Sequence, residues 1–418
     1  MRRTANTAFA AGGVALAAAL ALTGCGQGFD DTSGDPSSDE LTSSDDPLTV
    51  LYAASGDAEA QAVEAALAAW SETSGIEATG MAATTLDQEL SQGFAAGSPP
   101  DLFYLAPEAI AGYAANGSLQ PYGDQLSNKD DFYPSLVQNF TVEDQFYCAP
   151  KDFSTLALVI NTDLWADAGL TDADLPTTWD QLDTVAQALT TDGRAGLALT
   201  PEYQRVGAFM SQAGGRLVTD DGTEAVADSP ENAEALGYVA SHLQDGTFAY
   251  AADLGAGWGG EAFGKELSAM TIEGNWVTGA LAADFPDVNY QVVPLPAGPA
   301  GPGTLQFTNC WGMAADSPNQ QAALDLVEFL TSAEQQLAFS EAFGPMPSVQ
   351  SAGDRWQSDN PDLAAFLDGS SYATGMPVNA GSAEVIADFN SQLESLASTD
   401  PEQILASAQG NLEAVVGG

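Results

Sequence analysis

Leu48-Thr49-Val50-Leu51-Tyr52-Ala53-Ala54-Ser55-Gly56-Asp57 begins the folded part of the chain, and its reading decides the rest. The first seven residues form an apolar run of strand length, and Ser55-Gly56 turns the chain toward an amphipathic segment. From Asp57 to Trp70 the residues Val63, Ala66, Leu67 and Trp70 recur on one helical face, with Asp57 as the expected cap. Thr85 and Gln88 have the spacing of a capping box ahead of the stripe Leu86, Leu90 and Phe94. Gly97 to Pro100 ends that helix, and Asp101 to Leu105 is the next buried strand. The unit is βαβαβ-like, which predicts an α/β fold.

The alternation continues outward. Thr155 to Ile160 reads as a strand, Thr178 to Leu189 as a helix, and Gly196 to Leu199 as a strand leading to a turn at Pro201. Later helices are announced by a cap followed by proline at Ser229-Pro230, Ser317-Pro318 and Asp400-Pro401. A chain of 418 residues, 45% apolar, is long enough for two cores, because single cores stop growing at roughly 250 to 300 residues. No internal repeat is evident.

The N-terminus has a different logic. Arg2 and Arg3 precede the apolar stretch Ala8 to Leu22, which is shorter than the ~20 residues a membrane span needs. Residues 1–24 therefore read as an export signal. Leu22-Thr23-Gly24-Cys25 resembles the bacterial lipobox, in which the cysteine becomes the lipidated N-terminus; an ordinary secretory peptide is the alternative. Residues 25–47 are rich in Ser, Asp, Gly and Pro, too polar to offset the entropy of folding, and read as a disordered tether. Such a coil of about 22 residues reaches on the order of 25 Å.

Nine basic residues stand against 58 acidic ones, a formal net charge of −49. This surface repels phosphate backbones and argues against nucleic acid as a partner. The single histidine, His242, leaves histidine-centred hydrolysis and zinc binding without their usual residues. Gly255 to Gly260 lacks the Lys-Ser/Thr of a phosphate loop. Neither metal nor cofactor is expected.

Several ordered segments carry a resemblance: Gly97-Ser98-Pro99-Pro100-Asp101-Leu102-Phe103, Pro150 to Leu158, Pro176-Thr177-Thr178-Trp179-Asp180, Ala269 to Trp276, Val293 to Pro299, and Phe329-Leu330-Thr331-Ser332. Over roughly residues 48 to 410 the chain resembles the bacterial extracellular solute-binding proteins of family 1, sugar-binding lipoproteins of ABC transporters that include maltose-binding protein. The resemblance implies a two-lobed periplasmic-binding-protein-like (type II) fold, with a hinge between lobes and a ligand cleft. It implies lobe 1 at 48–153, lobe 2 at 154–307, a return to lobe 1 at 308–345, and lobe 2 C-terminal helices at 346–418. The implied crossings lie near Lys151 to Phe153, Phe307 to Trp311 and Phe343 to Pro347.

The implied function is not enzymatic: capture of a sugar or oligosaccharide by hinge closure, and delivery to the permease subunits of an ABC importer. The protein is then exported, held by lipid to the outer face of the cytoplasmic membrane, and monomeric. A sugar is best gripped by carboxylates and amides at its edge and flat aromatics on its faces. Glu273, Asn275 and Trp276 follow the strand Ala269 to Ile272, at a strand end where α/β sheets place ligands. Trp276 matches a stacking tryptophan of maltose-binding protein; its other reading is a core tryptophan. Ser55, Gly56 and Asp57 after the first strand, and Tyr104 and Glu108 after the third, are expected to face the cleft, with Asp57 equally readable as a cap alone. Asp152 and Ser154 lie beside a crossing, where Asp152 is either a ligand acceptor or an ion-pair partner of Lys151. Trp258, in the Gly-rich loop beside Glu261, is a candidate mobile lid. Trp311, Phe343 and Met346 line the cleft or pack the hinge.

Cys148 and Cys310 both fall near crossings of an exported chain, so a disulfide stapling the hinge competes with two buried free thiols. Family members often carry glycine at these places, and a hinge staple would narrow the motion. The rival function is a secreted glycoside hydrolase, which needs two carboxyls about 5 to 9.5 Å apart across a bond.

Overall fold

The computed structural model describes residues 41–416. The apolar runs become the strands β1 (Leu48–Tyr52), β2 (Ala78–Ala82), β3 (Leu102–Leu105), β4 (Thr141–Val142), β5 (Gln145–Phe146), β6 (Ala149–Asn161), β7 (Ala195–Leu199), β8 (Phe248–Tyr250), β9 (Ser268–Gly274), β10 (Tyr290–Val293), β11 (Thr304–Met313) and β12 (Ala373–Thr374). Ten of them share one sheet in the order β2-β1-β3-β11-β6-β9-β7-β8, with β10 on β6 and β12 on β11, while β4 and β5 form a separate hairpin.

That sheet is continuous because two strands are long, 13 residues in β6 and 10 in β11. The C-terminal part of β11 pairs with β3, Cys310 opposite Leu105 through Met313 opposite Leu102. The C-terminal part of β6 pairs instead with β9, Leu156 opposite Gly274 through Ile160 opposite Met270. Between these regions, Asp152 to Thr155 and Asn309 to Gln306 pair with each other, joined by a bridge from Phe153 to Met346. The sheet thus narrows to a two-strand neck, and the register shifts between Asn309 and Cys310. Few ladder bonds and a bulge make this the part of the sheet most easily bent.

Separate apolar cores lie on either side of the neck. One gathers Val50, Tyr52, Trp70, Phe103, Trp311 and Leu326. The other gathers Ile160, Trp179, Phe209, Leu236, Phe389 and Leu405. A smaller cluster under the neck includes Phe153, Val159, Phe263, Met346, Trp356 and Phe366.

The ends of several elements differ from the sequence reading. Gly56, not Asp57, occupies the cap position of the helix Asp57–Ser74, with Asp57 as its exposed first residue. The expected Thr85–Gln88 capping box does not form; Glu89 Oε1 accepts the Thr84 and Thr85 backbone N–H groups at 2.8 and 3.0 Å. Residues 41–47, read as the end of the tether, are not free: Leu41 is buried, Thr42 Oγ1 donates to the Ser317 carbonyl at 2.8 Å, and Asn319 Nδ2 donates to the Asp46 carbonyl at 3.0 Å. Composition could not show this, because polar residues here satisfy the loop before the helix Gln320–Leu330 rather than water. The rest of the tether and Cys25 lie outside the described residues.

Cys148 and Cys310 form a disulfide with Cα atoms 5.6 Å apart, both fully buried. Both belong to the core around Trp311, so the bond ties the start of β6 to β11 within that core rather than across the neck.

Candidate functional site

The neck carries Asp152 and Ser154 on β6 opposite Asn309 and Phe307 on β11. On the side of the first core, the helix Asp57–Ser74 begins without a side-chain cap, and Glu59 reaches back instead, its Oε2 accepting the Ser55 N–H at 2.8 Å. Its Oε1 accepts from Tyr104 Oη at 3.0 Å and from Lys151 Nζ at 3.2 Å. Lys151 Nζ also meets Asp152 Oδ2 at 2.5 Å and lies 4.6 Å from the centre of the Tyr104 ring.

One cation is therefore held between two carboxylates in a nearly dry setting. Burial alone would raise the Glu59 pKa, but the Lys151 charge and the Ser55 N–H together hold it below the usual carboxylate range. For Asp152 burial wins over the attraction of Lys151 and pushes the carboxyl up.

On the other side, Glu273 sits one residue before the end of β9 with no exposed surface. Its Oε2 accepts from Arg205 Nη2 at 2.6 Å and from Trp276 Nε1 at 3.1 Å. Burial raises its pKa against the pull of Arg205. Arg205 comes from the helix Tyr203–Ala213, and its guanidinium lies 5.4 Å from the centre of the Trp276 ring. A Cβ at Gly274 would stand 2.2 Å from that indole, so only glycine lets the ring lie over the strand end. Trp276 meets Phe307 edge-on at 5.4 Å and remains 39% exposed, which excludes its reading as a core tryptophan.

The structure thus gathers Asp152, Ser154, Asn275, Trp276 and Phe307 around the neck, with Glu273 buried behind the indole. Asn275 donates its backbone N–H to Ser154 Oγ at 3.0 Å. Ser55, Gly56 and Asp57 are exposed at the start of their helix, and Glu108 is half-buried in the first turn of the helix Pro107–Ala115. Tyr104 and Trp311 are core residues, their rings 4.8 Å apart. Met346 is fully buried in the cluster under the neck, whereas Phe343 is half-buried, its ring 5.8 Å from Lys151 Nζ.

Trp258 is half-buried against the cluster under the neck and folded over Gly260, where a Cβ would stand 2.1 Å from the ring. Glu261 holds the same loop, accepting the Gly257 N–H at 2.6 Å and pairing with Lys265 at 2.5 Å. His242 lies in the second core's neighbourhood, stacked on Phe248 at 4.5 Å and bonded to Asp183 at 3.0 Å. Among the described residues no group of three His, Cys, Asp or Glu side chains is placed to hold a metal ion.

Glu59 and Arg205 were not singled out from the sequence, and Phe307 only as the edge of an implied crossing. A signal existed for Arg205: with nine basic residues among 418, a base on an otherwise apolar helix face asks for a buried acid.

The profile described as bacterial extracellular solute-binding protein matches residues 53–337. The chain belongs to this family. A Brucella abortus (strain 2308) protein named only as a binding protein is 24% identical over 348 residues, 79% of this chain and 82% of that one. The diacetylchitobiose binding protein DasA of Streptomyces coelicolor is also 24% identical, over 63% of this chain and 64% of its own length. Among solved structures, the cyclic alpha-maltosyl-1,6-maltose binding protein of Arthrobacter globiformis superposes with a TM-score of 0.79 at 23% identity, covering 88% of this chain and 98% of that one. This is a likeness of fold, the two-lobed α/β architecture of solute-binding proteins. No described helix of this solute-binding protein is long and apolar enough to cross a membrane.

Proposed function

We propose that this solute-binding protein captures a sugar or oligosaccharide between its lobes and hands it, unchanged, to the permease of an ABC importer. The observation that carries the reading is Trp276: an exposed indole, fixed in orientation by a buried acid three residues before it, near a neck that carries the partly exposed Asp152. A flat apolar face with acceptors at its rim is what a pyranose ring requires. The relatives named for diacetylchitobiose and for a cyclic maltosaccharide support the same class.

In this reading lobe 1 comprises residues 48–153 and 308–345, lobe 2 comprises 154–307 and 346–418, and closure bends the neck around the ligand. Asp152, Ser154, Asn275 and Trp276 line the ligand directly; Ser55 to Asp57, Glu108, Trp258 and Phe343 form the outer rims. Cys25 carries the lipid that keeps the protein near its permease.

A thermal-shift screen against mono- and oligosaccharides tests this, followed by product analysis of each hit. A ligand at a hundred times its Kd stabilises by about 2.7 kcal/mol and is recovered intact. A flat response across the panel, or recovery of cleaved fragments, overturns it.

A further inference from the structure

We propose that Glu273 and Arg205 are positioning residues that set the indole of Trp276 before any ligand arrives, rather than ligand contacts themselves. The inference rests on the reading of Trp276 as the ligand platform. Three features carry it. Glu273 has no exposed surface, so nothing entering the cleft reaches it without displacing Trp276. A single oxygen, Oε2, accepts both the Arg205 guanidinium and the Trp276 indole N–H, which fixes the in-plane rotation of the ring. The missing Cβ at Gly274 lets the ring lie over the strand end, and the Phe307 edge, 5.4 Å away, restrains it from β11.

The other carboxylate oxygen, Oε1, is buried and receives no hydrogen bond from the described residues. It faces the backbone of Gly259, where a Cβ would stand 2.7 Å away. A ligand-gripping acid would aim its free oxygen at the cleft; this one aims it into the protein. The bonded oxygen alone performs the task, which gives a clean conservative test. Glu273→Gln keeps one acceptor for both donors and places its amide nitrogen where Oε1 receives nothing. Replacing both partners by methionine (Glu273→Met with Arg205→Met) keeps the volume, avoids an unpaired buried charge and releases the indole.

The test uses the exported chain labelled with 5-fluorotryptophan, whose seven tryptophans give seven fluorine resonances, with Trp276 assigned by its loss in Trp276→Phe. Without ligand, the Trp276 resonance should keep its shift in Glu273→Gln. In the paired methionine variant it should move toward that of the free amino acid while the other six stay in place. An unmoved Trp276 resonance in the methionine variant overturns the proposal. Should that variant unfold, the wild-type indole N–H decides: exchange at least tenfold slower than free indole supports the bond to Glu273, and unprotected exchange removes it.

Calorimetry with maltotetraose then separates the two readings. Trp276→Ala should lower affinity about tenfold, and adding the paired methionines to it should lower affinity no further. Additive losses show that Glu273 or Arg205 touches the sugar and defeat the positioning role. Absence of binding to this and every other oligosaccharide defeats the sugar reading alone, since the fluorine and exchange measurements need no ligand.

Discussion

Ser154 and Asn275 are joined at the edge of the neck: the Asn275 backbone N–H donates to Ser154 Oγ at 3.0 Å, linking strand β6 to the residue that opens the helix Trp276–Asp284. The Asn275 side chain continues outward, its Nδ2 donating to the Gly344 carbonyl at 2.7 Å just past the helix Ala333–Phe343. One residue thereby ties the start of the helix that carries Trp276 to both the neck strand and the segment around Gly344. The sequence places these three segments 121 and 69 residues apart, and only the fold makes them neighbours.

Asn275→Ala removes the outer half of this link while leaving the backbone bond in place. Gly344 is exposed, so water replaces the lost donor at its carbonyl and the penalty is modest. A loss of about 1 kcal/mol in urea unfolding, with an unchanged slope, is expected. A change in slope instead would mean that the link governs how compact the native protein is.

Lys151 stands between Glu59 and Asp152, and Lys151→Met leaves two carboxylates facing each other in a poorly solvated site. Breaking a buried pair in this way costs about 3 to 5 kcal/mol. Adding Glu59→Gln and Asp152→Asn should return most of it, because an uncharged cluster has no repulsion to relieve. Chemical denaturation of the single and triple variants checks both halves. An unshifted midpoint in Lys151→Met would show that water already solvates the acids.

The architecture was legible where neighbours in sequence decide the structure. Val63, Ala66, Leu67 and Trp70 gave the first helix its buried face, and the cap-proline pairs placed the helices Pro230–Asp245 and Pro401–Val416. Strand β2, Ala-Thr-Gly-Met-Ala, was not legible as a strand because it lies at the sheet edge with three of its five residues exposed and no apolar alternation. At the site, residue types were readable but roles were not. Glu273 reads as an acceptor at a strand end, and its pairing with Arg205, 68 positions away, is visible only in the fold. Glu59 drew no reading from the sequence, because Lys151, the base that meets it, lies 92 positions away. Asp57 is the first helical residue rather than the cap, and the side chain that reaches back is that of Glu59, to the Ser55 N–H.

Glu59 should also leave a mark on the pH dependence of stability. Its folded-state pKa lies below the unfolded value of about 4.3, so its contribution is fully present above that value and disappears as pH falls through the folded one. The stability difference between wild type and Glu59→Gln is therefore expected to be largest near neutrality and to shrink as the solution is made acidic enough to protonate Glu59 in the folded protein. Urea midpoints measured in steps across that range check the sign. A difference that stays constant on acidification would mean that Glu59 keeps its ordinary affinity for protons in the folded protein.

The disulfide between Cys148 and Cys310 spans 162 residues of chain, a long loop whose closure restricts the unfolded state strongly. Both sulfurs are buried in the core around Trp311, so native protein should resist thiol reagents, and digestion without reductant should yield the two cysteine peptides linked. Cys148→Ala with Cys310→Ala is expected to lower stability by about 2 to 4 kcal/mol. Hinge motion is a separate matter, because both cysteines lie on one side of the neck and the bulge at Asn309 and Cys310 separates them from Asp152. X-ray scattering of the variant, with and without a bound oligosaccharide, should therefore show the same change in radius of gyration as the wild type. A larger change in the variant would mean that the bond does restrain closure, and that the bending point extends past the bulge into the first core.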